Sequence, residues 1–328
     1  MNNKNMSRSA ADRGSSTASG KTLVLLDTHA LIHRAYHALP KFTSKNTGEP
    51  TGALYGLSTM LLKVIRELKP DYLVAAYDLP APTFRHEAYS AYKATRKEAE
   101  ADLVAQLKRS HDVVAAFGIP DISAPGFEAD DVLGTIVEQC RTLNVRHVRQ
   151  DSLKIIIVSG DMDVLQLVDD DRVVVYTMRK GLEDTVIYDE KKVLERFGFG
   201  PGALTDYKGL RGDASDNIIG VPGIGEKTAT DIIKNFGNIE NLYKEIEKPK
   251  VPALPAGRLE GKSGLLKPRI IQLLLDHKKD AFFSKTLATI RRDAPIKFQM
   301  PEADFALKKE ELTRLFIELG FSSLVSRI

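Results

Sequence analysis

Aspartates follow three short apolar segments of this 328-residue chain. The acids are Asp27, Asp78 and Asp161, and the segments that precede them are residues 23–26, 72–77 and 155–160. Short apolar segments bounded by loops are typical of buried parallel strands. Ligands in open α/β sheets bind at the carboxyl ends of such strands. The pattern therefore predicts that three distant parts of the chain bring carboxylates to one edge of a sheet.

Six further acids lie in turn-like segments, namely Glu128, Asp130, Asp131, Asp163, Asp213 and Asp216. Each group alone has a local explanation, since acids favour the first turn of a helix and aspartates favour turns. Nine carboxylates from five segments would repel one another unless cations bound them. Oxygen ligands favour Mg²⁺ or Mn²⁺, and nine of them suit two ions roughly 3.5–4 Å apart, the arrangement that cleaves phosphodiesters.

Three histidines on a predicted helix after Asp27 form a second candidate metal site. His29, His33 and His37 are spaced by four residues, which could bind zinc. No acid or cysteine partner lies among them, however, and catalytic zinc usually has mixed ligands from loops and strands. We therefore favour a helix that faces the core or a nucleic acid.

Apolar strands alternate with helical patterns from residue 21 to about 205, which predicts an α/β core with a mostly parallel central sheet flanked by helices. After about residue 201 short helices and glycine-rich turns follow. We expect three parts: a disordered tail (1–20), the metal-binding core (21–205) and a helical region (206–328).

The bulk composition limits the function classes. Lys plus Arg number 47 against 44 Asp plus Glu, a net charge of +3, and 43% of residues are hydrophobic. The single Cys140 excludes an intrachain disulfide and a cysteine-rich zinc site. No apolar stretch approaches the ~18 residues of a membrane span. We expect a cytoplasmic protein without a membrane partner.

A glycine turn in the helical region has the chemistry of a phosphate site. Gly223 and Gly225 precede Lys227 at the start of a predicted helix, and a second helix could precede them from about Leu204. Backbone N–H groups at such a turn favour phosphate, and the lysine adds a charge. This indicates a helical hairpin that binds nucleic acid, although an ordinary turn between two helices has the same outline.

Residues 84–97 combine cations with aromatic side chains. Arg85, Lys93 and Arg96 alternate with Phe84, Tyr89 and Tyr92. Aromatic rings stack on unpaired bases while cations follow the backbone, so the segment is a candidate DNA contact. A solvated helix is the alternative. Its position shortly after Asp78 favours DNA, because it would lie over the metal-binding edge.

Taken together and in order, these motifs resemble those of the flap endonuclease family, in particular the 5′-nuclease domains of bacterial DNA polymerases I. The resemblance covers residues 21–328 and rests on Asp27, Phe84-Arg85-His86-Glu87, Tyr92-Lys93-Ala94-Thr95-Arg96, Gly126-Phe127-Glu128-Ala129-Asp130-Asp131, Gly160-Asp161-Met162-Asp163, Gly212-Asp213-Ala214-Ser215-Asp216-Asn217 and Gly223-Ile224-Gly225-Glu226-Lys227. One departure is Lys97-Glu98-Ala99-Glu100, which continues a helical pattern where many relatives carry prolines.

The resemblance implies a flap-nuclease (PIN-like) core with two metal sites. Its first site and surroundings match Asp27, Asp78, Glu128, Asp130 and Asp131, its second matches Asp213 and Asp216, and Asp161 and Asp163 lie between the ions. It also implies a helical arch at about 79–107 whose Lys93 and Arg96 contact the scissile phosphate. Arg85, Tyr92 and Lys208 would bind DNA, together with a helix-hairpin-helix-type motif that holds a K⁺ ion at Gly223–Gly225 and includes Lys227.

We therefore expect a magnesium-dependent 5′→3′ exonuclease and flap endonuclease of DNA replication and repair, with Lys93, Arg96 and Asp161 as catalytic residues. It would act on 5′ flaps, nicks and gaps near the nucleoid, either as a stand-alone nuclease or as a domain excised from a polymerase. Two alternatives stay open: a non-catalytic DNA-binding module, and a magnesium-dependent RNase of related fold.

Overall fold

The structure is a computed structural model, and it describes residues 20–142, 153–170, 172–182, 184–248 and 262–328. The predicted tail therefore lies outside the described residues, apart from Gly20. The strands are β1 (Lys21–Asp27), β2 (Tyr72–Ala76), β3 (Asp121–Ile122), β4 (Leu153–Val158), β5 (Val173–Lys180) and β6 (Asp184–Tyr188).

The helices that alternate with these strands are α1 (Thr28–Ala38), α2 (Gly52–Leu68), α3 (Phe84–Ala88), α4 (Ala101–Ala116), α5 (Ala129–Thr142) and α6 (Glu190–Phe197). Those that follow are α7 (Leu204–Arg211), α8 (Glu226–Phe236), α9 (Ile239–Ile246), α10 (Pro268–Asp276), α11 (Lys278–Ala288), α12 (Lys309–Leu319) and α13 (Ser322–Val325). Short 3₁₀ helices lie at Asp163–Leu167, Pro201–Ala203, Lys262–Leu265 and Met300–Ala303.

Among the described residues, the strands form one sheet in the order β3-β2-β1-β4-β5-β6. Neighbouring strands run parallel, except that β5 and β6 are antiparallel. Leu26 of β1 lies beside Ala75 of β2 and Val158 of β4. The predicted mostly parallel α/β sheet is confirmed, and its three central strands end at the same edge.

Both faces of this sheet are covered, which explains the continuous apolar segments. Leu23 and Leu25 pack on one face, in a cluster that includes residues of α5, whereas Val24 and Leu26 pack on the other against α1 and α2. All four are 0% exposed. Successive side chains of a strand point to opposite faces, so a strand buried on both sides shows no polar alternation. Each such side chain contributes about 1.5–3 kcal/mol when fully buried.

The segment predicted as a helical arch is not a continuous helix. After α3 the chain forms turns through residue 96, and residues 97–100 are not helical. The expectation that residues 97–100 continue a helix is therefore wrong. Lys93 has a left-handed backbone (φ 55°), and its N–H donates to the carbonyl of Asp216 at 2.9 Å. Contacts with a segment more than 100 residues away have overridden the local helical preference.

The chain returns to the sheet after the helical region. Helix α12 begins at Lys309, and Leu312, Phe316 and Phe321 are buried with side chains of α2 and α4. A bridge also pairs Tyr72 of β2 with Asp304. The boundary that we placed at 205/206 stays a prediction. No helix in the described ranges has both the length and the apolar character that crossing a membrane requires.

Candidate active site

The three predicted strand-end aspartates lie at one edge of the sheet. Asp27 is the last residue of β1, and Asp78 and Asp161 follow β2 and β4 by two and three residues. Asp27 also caps α1, because its carboxylate accepts the N–H of Ala30 at 3.1 Å. The fold therefore fixes this acid at the junction of a strand and a helix.

A cavity of about 810 Å³ opens at this edge. Its wall includes seven of the nine predicted metal ligands and three predicted DNA-binding cations. The acids are Asp27, Asp78, Glu128, Asp130, Asp161, Asp163 and Asp213, and the cations are Lys93, Arg96 and Lys208. Asp131 and Asp216 are not part of the wall. Acids from five segments of the chain thus converge on one space.

Ser159 joins two of these acids, and sequence reasoning missed it. Its hydroxyl donates to Asp27 at 2.6 Å and accepts the N–H of Asp161 at 2.9 Å. The carboxylate of Asp161 in turn accepts the N–H of Asp163 at 2.9 Å. Only the position of Ser159, between the end of β4 and the Gly160-Asp161 turn, could have indicated this role.

The acids are crowded enough to disturb one another. Burial, together with the charges of Asp78 and Asp161, raises the pKa of Asp27 to about 7. Burial and Asp161 likewise raise the pKa of Asp163 to about 7, although Lys208 opposes this. Burial and its acidic neighbours also raise the pKa of Asp130. Divalent cations would remove this repulsion, so an all-oxygen set of this kind fits hard cations. Among the described residues, however, no three Asp, Glu, His or Cys side chains form a ready-made cage.

Cationic side chains contact this acidic set from the arch and from α7. Lys93 donates to Glu128 at 2.7 Å, and Arg96 donates to Asp216 at 2.6 Å. Lys208 contacts both Asp163 and Asp213, the latter at 2.5 Å. Although burial opposes it, Lys208 and the Ser215 donors lower the pKa of Asp213 to about 2. The predicted DNA-binding cations are therefore paired with predicted metal ligands.

Asp131 and Arg85 form a buried ion pair that is not part of the cavity wall. Arg85 is 3% exposed and Asp131 is 0% exposed, and two N–H···O bonds of 2.7 and 2.8 Å join them. Arg85 also donates to the carbonyls of Leu287 and Thr289. These donors of Arg85 are used inside the protein, which argues against the predicted DNA contact of this residue. Asp131 anchors Arg85 of α3, at the start of the arch segment, and is not part of the cavity wall.

Tyr92 is also buried, at 3% exposed. Its hydroxyl lies 3.1 Å from Glu128 and 3.1 Å from Asp216. The ring that we expected to stack on a base is instead covered by protein. The residue joins a wall acid to the acid that pairs with Arg96, and its partners lie 36 and 124 residues away in sequence.

The three histidines of α1 line the same cavity. The rings of His29 and His33 stack with centroids 4.9 Å apart, and those of His33 and His37 are 6.5 Å apart. Burial and the neighbouring histidines lower the pKa of His33 to about 4. Stacked rings do not point their nitrogens at one ion, and no zinc-type cluster occurs among the described residues. The prediction that this helix faces the core or a nucleic acid fits better than the zinc alternative.

Comparison with known proteins decides the family. Residues 22–198 match the model of the 5′-3′ exonuclease N-terminal resolvase-like domain, and residues 199–311 match the 5′-3′ exonuclease C-terminal SAM fold. The chain belongs to the 5′-3′ exonuclease family. This confirms the resemblance that the motifs indicated.

The curated relatives are DNA polymerases I. The protein of Bacillus caldotenax is 35% identical over 309 residues, which is 94% of this chain and 32% of the relative. That of Chloroflexus aurantiacus is 37% identical over 313 residues, 93% of this chain and 30% of the relative. This 5′-3′ exonuclease chain therefore spans about a third of the length of the relatives that it matches.

Solved structures support the fold. T5 5′-exonuclease with bound zinc has a TM-score of 0.60 and 21% identity, over 82% of this chain and 89% of that one. The catalytic core of Rad2 in complex with DNA has a TM-score of 0.54 and 17% identity, over 95% and 93%. The 5′-3′ exonuclease chain shares the architecture of both.

The glycine turn of this 5′-3′ exonuclease chain lies between α7 and α8, within the SAM-fold match. The two helices are separated by residues 212–225, and Gly223 has φ +88°. Gly223, Gly225 and Lys227 are exposed, as a DNA contact requires. Their role in binding DNA and K⁺ stays a prediction.

Proposed function

We propose that the chain is a divalent-metal-dependent nuclease that hydrolyses DNA at 5′ flaps, nicks and gaps during replication and repair. The observation that carries this is the cavity whose wall holds seven acids from five segments together with three of the predicted DNA-binding cations. Family membership supports the reaction class, and the curated relatives suggest that a polymerase domain accompanies it.

The acids fit two hard cations, Mg²⁺ or Mn²⁺. The first would be held by Asp27, Asp78, Glu128 and Asp130, the second by Asp163 and Asp213, with Asp161 between them. Bound there, such ions activate water at neutral pH and stabilise the leaving oxygen. Asp131 and Asp216, which lie outside the cavity wall, would act by holding Arg85 and Arg96 in place.

Lys93 and Arg96 would bind the scissile phosphate. Both lie on the cavity wall, and both are paired with carboxylates. Exchanging a carboxylate for a phosphodiester keeps each cation paired and offsets the charge that develops during cleavage. Contacts of this kind are to phosphate, so we expect cleavage to depend on DNA structure rather than on sequence. Gly223, Gly225 and Lys227, with a bound K⁺, would grip the downstream duplex.

The test is a labelled 5′-flap DNA duplex and its RNA counterpart, each incubated with and without Mg²⁺. We expect DNA cleavage that EDTA stops, leaving 5′-phosphate and 3′-hydroxyl ends. Asp161→Ala should abolish cleavage while DNA binding largely persists. Asp184→Ala is the matched control, because Asp184 and its partner Arg179 are both exposed and neither is part of the cavity wall. Such surface pairs contribute about 0–1 kcal/mol.

The outcomes separate the three functions. DNA binding that EDTA leaves intact, with no cleavage, would indicate a non-catalytic module. Cleavage of the RNA duplex in preference to DNA would indicate an RNase. Wild-type cleavage by Asp161→Ala would remove the assignment of the metal site.

A further inference from the structure

Lys208 lies between two acids on one side of the cavity. Its ammonium contacts Asp163 and lies 2.5 Å from Asp213. The three side chains are only 15–20% exposed. Lys208 belongs to α7, Asp213 follows that helix, and Asp163 begins the 3₁₀ helix after β4. One positive charge thus joins the sheet edge to the helical region.

This arrangement differs from the other cation pairs at the cavity. Lys93 and Arg96 reach the acids from the arch, and each pairs with one carboxylate. Lys208 instead bridges the two acids that the proposed function assigns to the second ion. A divalent ion that binds both of these carboxylates has to share them with the ammonium or displace it, because like charges at such a distance repel strongly.

We propose that Lys208 is a built-in competitor of the second divalent ion, so that this ion binds weakly until the ammonium is drawn away from Asp163 and Asp213. The inference rests on the proposed two-ion function and adds a regulatory residue to it. The single positive charge of Lys208 offsets one of the two negative charges and so stabilises this half of the site.

Substrate DNA would reverse the competition. A backbone phosphate offers the Lys208 ammonium another anionic partner, which would release the two carboxylates for the ion. The second ion and DNA should therefore bind cooperatively, each raising the affinity of the other by the same factor. Such coupling would confine full metal loading to the substrate complex.

The experiment measures Mn²⁺ binding to the full chain without DNA, by electron paramagnetic resonance of free Mn²⁺. In wild-type protein we expect one tight and one weaker ion. Lys208→Gln removes the charge but keeps a hydrogen-bond donor, and it should tighten the weaker ion at least about tenfold. Lys208→Arg keeps the charge and should leave the weaker ion weak.

Lys285→Gln is the matched control. Lys285 also bridges two acids, Asp206 at 2.7 Å and Glu240 at 2.9 Å, but it is not part of the cavity wall. Its replacement should not change either Mn²⁺ affinity. Circular dichroism and thermal unfolding verify that each variant is folded.

Unchanged or weakened binding of the second ion in folded Lys208→Gln would overturn the inference while leaving the proposed function standing. Equal tightening in Lys285→Gln would also overturn it, because the effect would then reflect net charge alone. Absence of any Mn²⁺ binding to wild-type protein would remove the two-ion function itself.

Discussion

Replacing Asp131 should damage stability far more than metal binding. Its carboxylate accepts two N–H bonds from Arg85 and one each from the backbones of Glu128, at 3.0 Å, and Arg291, at 2.8 Å. Asp131→Ala would leave a buried guanidinium whose remaining acid is Glu128, 3.2 Å away. Breaking a buried ion pair from one side costs about 3–5 kcal/mol. That is a large part of a typical folding free energy of about 5–15 kcal/mol.

Asp78→Asn is the informative comparison, because Asp78 lines the cavity and its side chain is 34% exposed. One hydrogen bond holds it, the N–H of Ala129 at 2.6 Å, and an asparagine oxygen can accept that bond. Its charge raises the pKa of Asp27 and of Asp130, so its removal relieves repulsion. In metal-free buffer, the free energy of unfolding of Asp78→Asn should therefore stay within about 1 kcal/mol of wild type or rise.

The assay is urea unfolding followed by circular dichroism, with Mn²⁺ affinity measured on the same proteins. Asp131→Ala should lose about 3–5 kcal/mol of unfolding free energy and keep its Mn²⁺ affinity within a few fold. Asp78→Asn should show the reverse pattern. If Asp131→Ala kept its stability and lost Mn²⁺ binding, Asp131 would be a metal ligand and the structural role argued for it would be wrong.

Three further predictions concern the arch, the acids and the hairpin. Lys93→Ala should lower the flap cleavage rate at saturating DNA with little change in duplex affinity, and an unchanged rate would remove its catalytic role. In metal-free buffer the free energy of unfolding should fall from about pH 4 to 7, because folded Asp27 and Asp163 keep protons that the unfolded chain has lost. Mg²⁺ should therefore raise the melting temperature more at pH 8 than at pH 5, and an equal gain would contradict this. Gly223→Ala strains a backbone at φ +88° and should weaken duplex binding, whereas Gly237→Ala, at φ +82° beyond the end of α8, should not.

The sheet and its acidic edge could be predicted because their signals are local. An apolar segment that ends on an aspartate gives both the strand and the position of its carboxylate, as Asp27 shows. Parallel strands then bring such residues to one edge without further information. The two-residue strand β3 had no comparable signal, since Asp121 and Ile122 form a strand only by pairing with Ala75 and Ala76.

The arch could not be predicted in the same way, because its conformation depends on distant partners. Arg85 and Tyr92 have the composition of a DNA-binding face, yet both are buried by contacts 36 to 204 residues away in sequence. A charged residue in a helical pattern is usually solvated. The sequence around Arg85 gives no sign that Asp131, 46 residues away, is its partner. Composition alone therefore predicts DNA contacts for Arg85 and Tyr92, whereas in the structure these side chains anchor the segment to the rest of the protein.

The pairing of Asp304 with Tyr72 limits how the chain can be divided into stable fragments. The N–H of Phe305 also donates to the carbonyl of Asp71, so the segment from Asp304 onward packs beside β2 and completes the layer that α2 and α4 form. A fragment that stopped near residue 198 would uncover apolar side chains of α2 and α4 and would be expected to aggregate. The two family matches, residues 22–198 and 199–311, therefore share one hydrophobic layer. We expect neither to fold stably on its own.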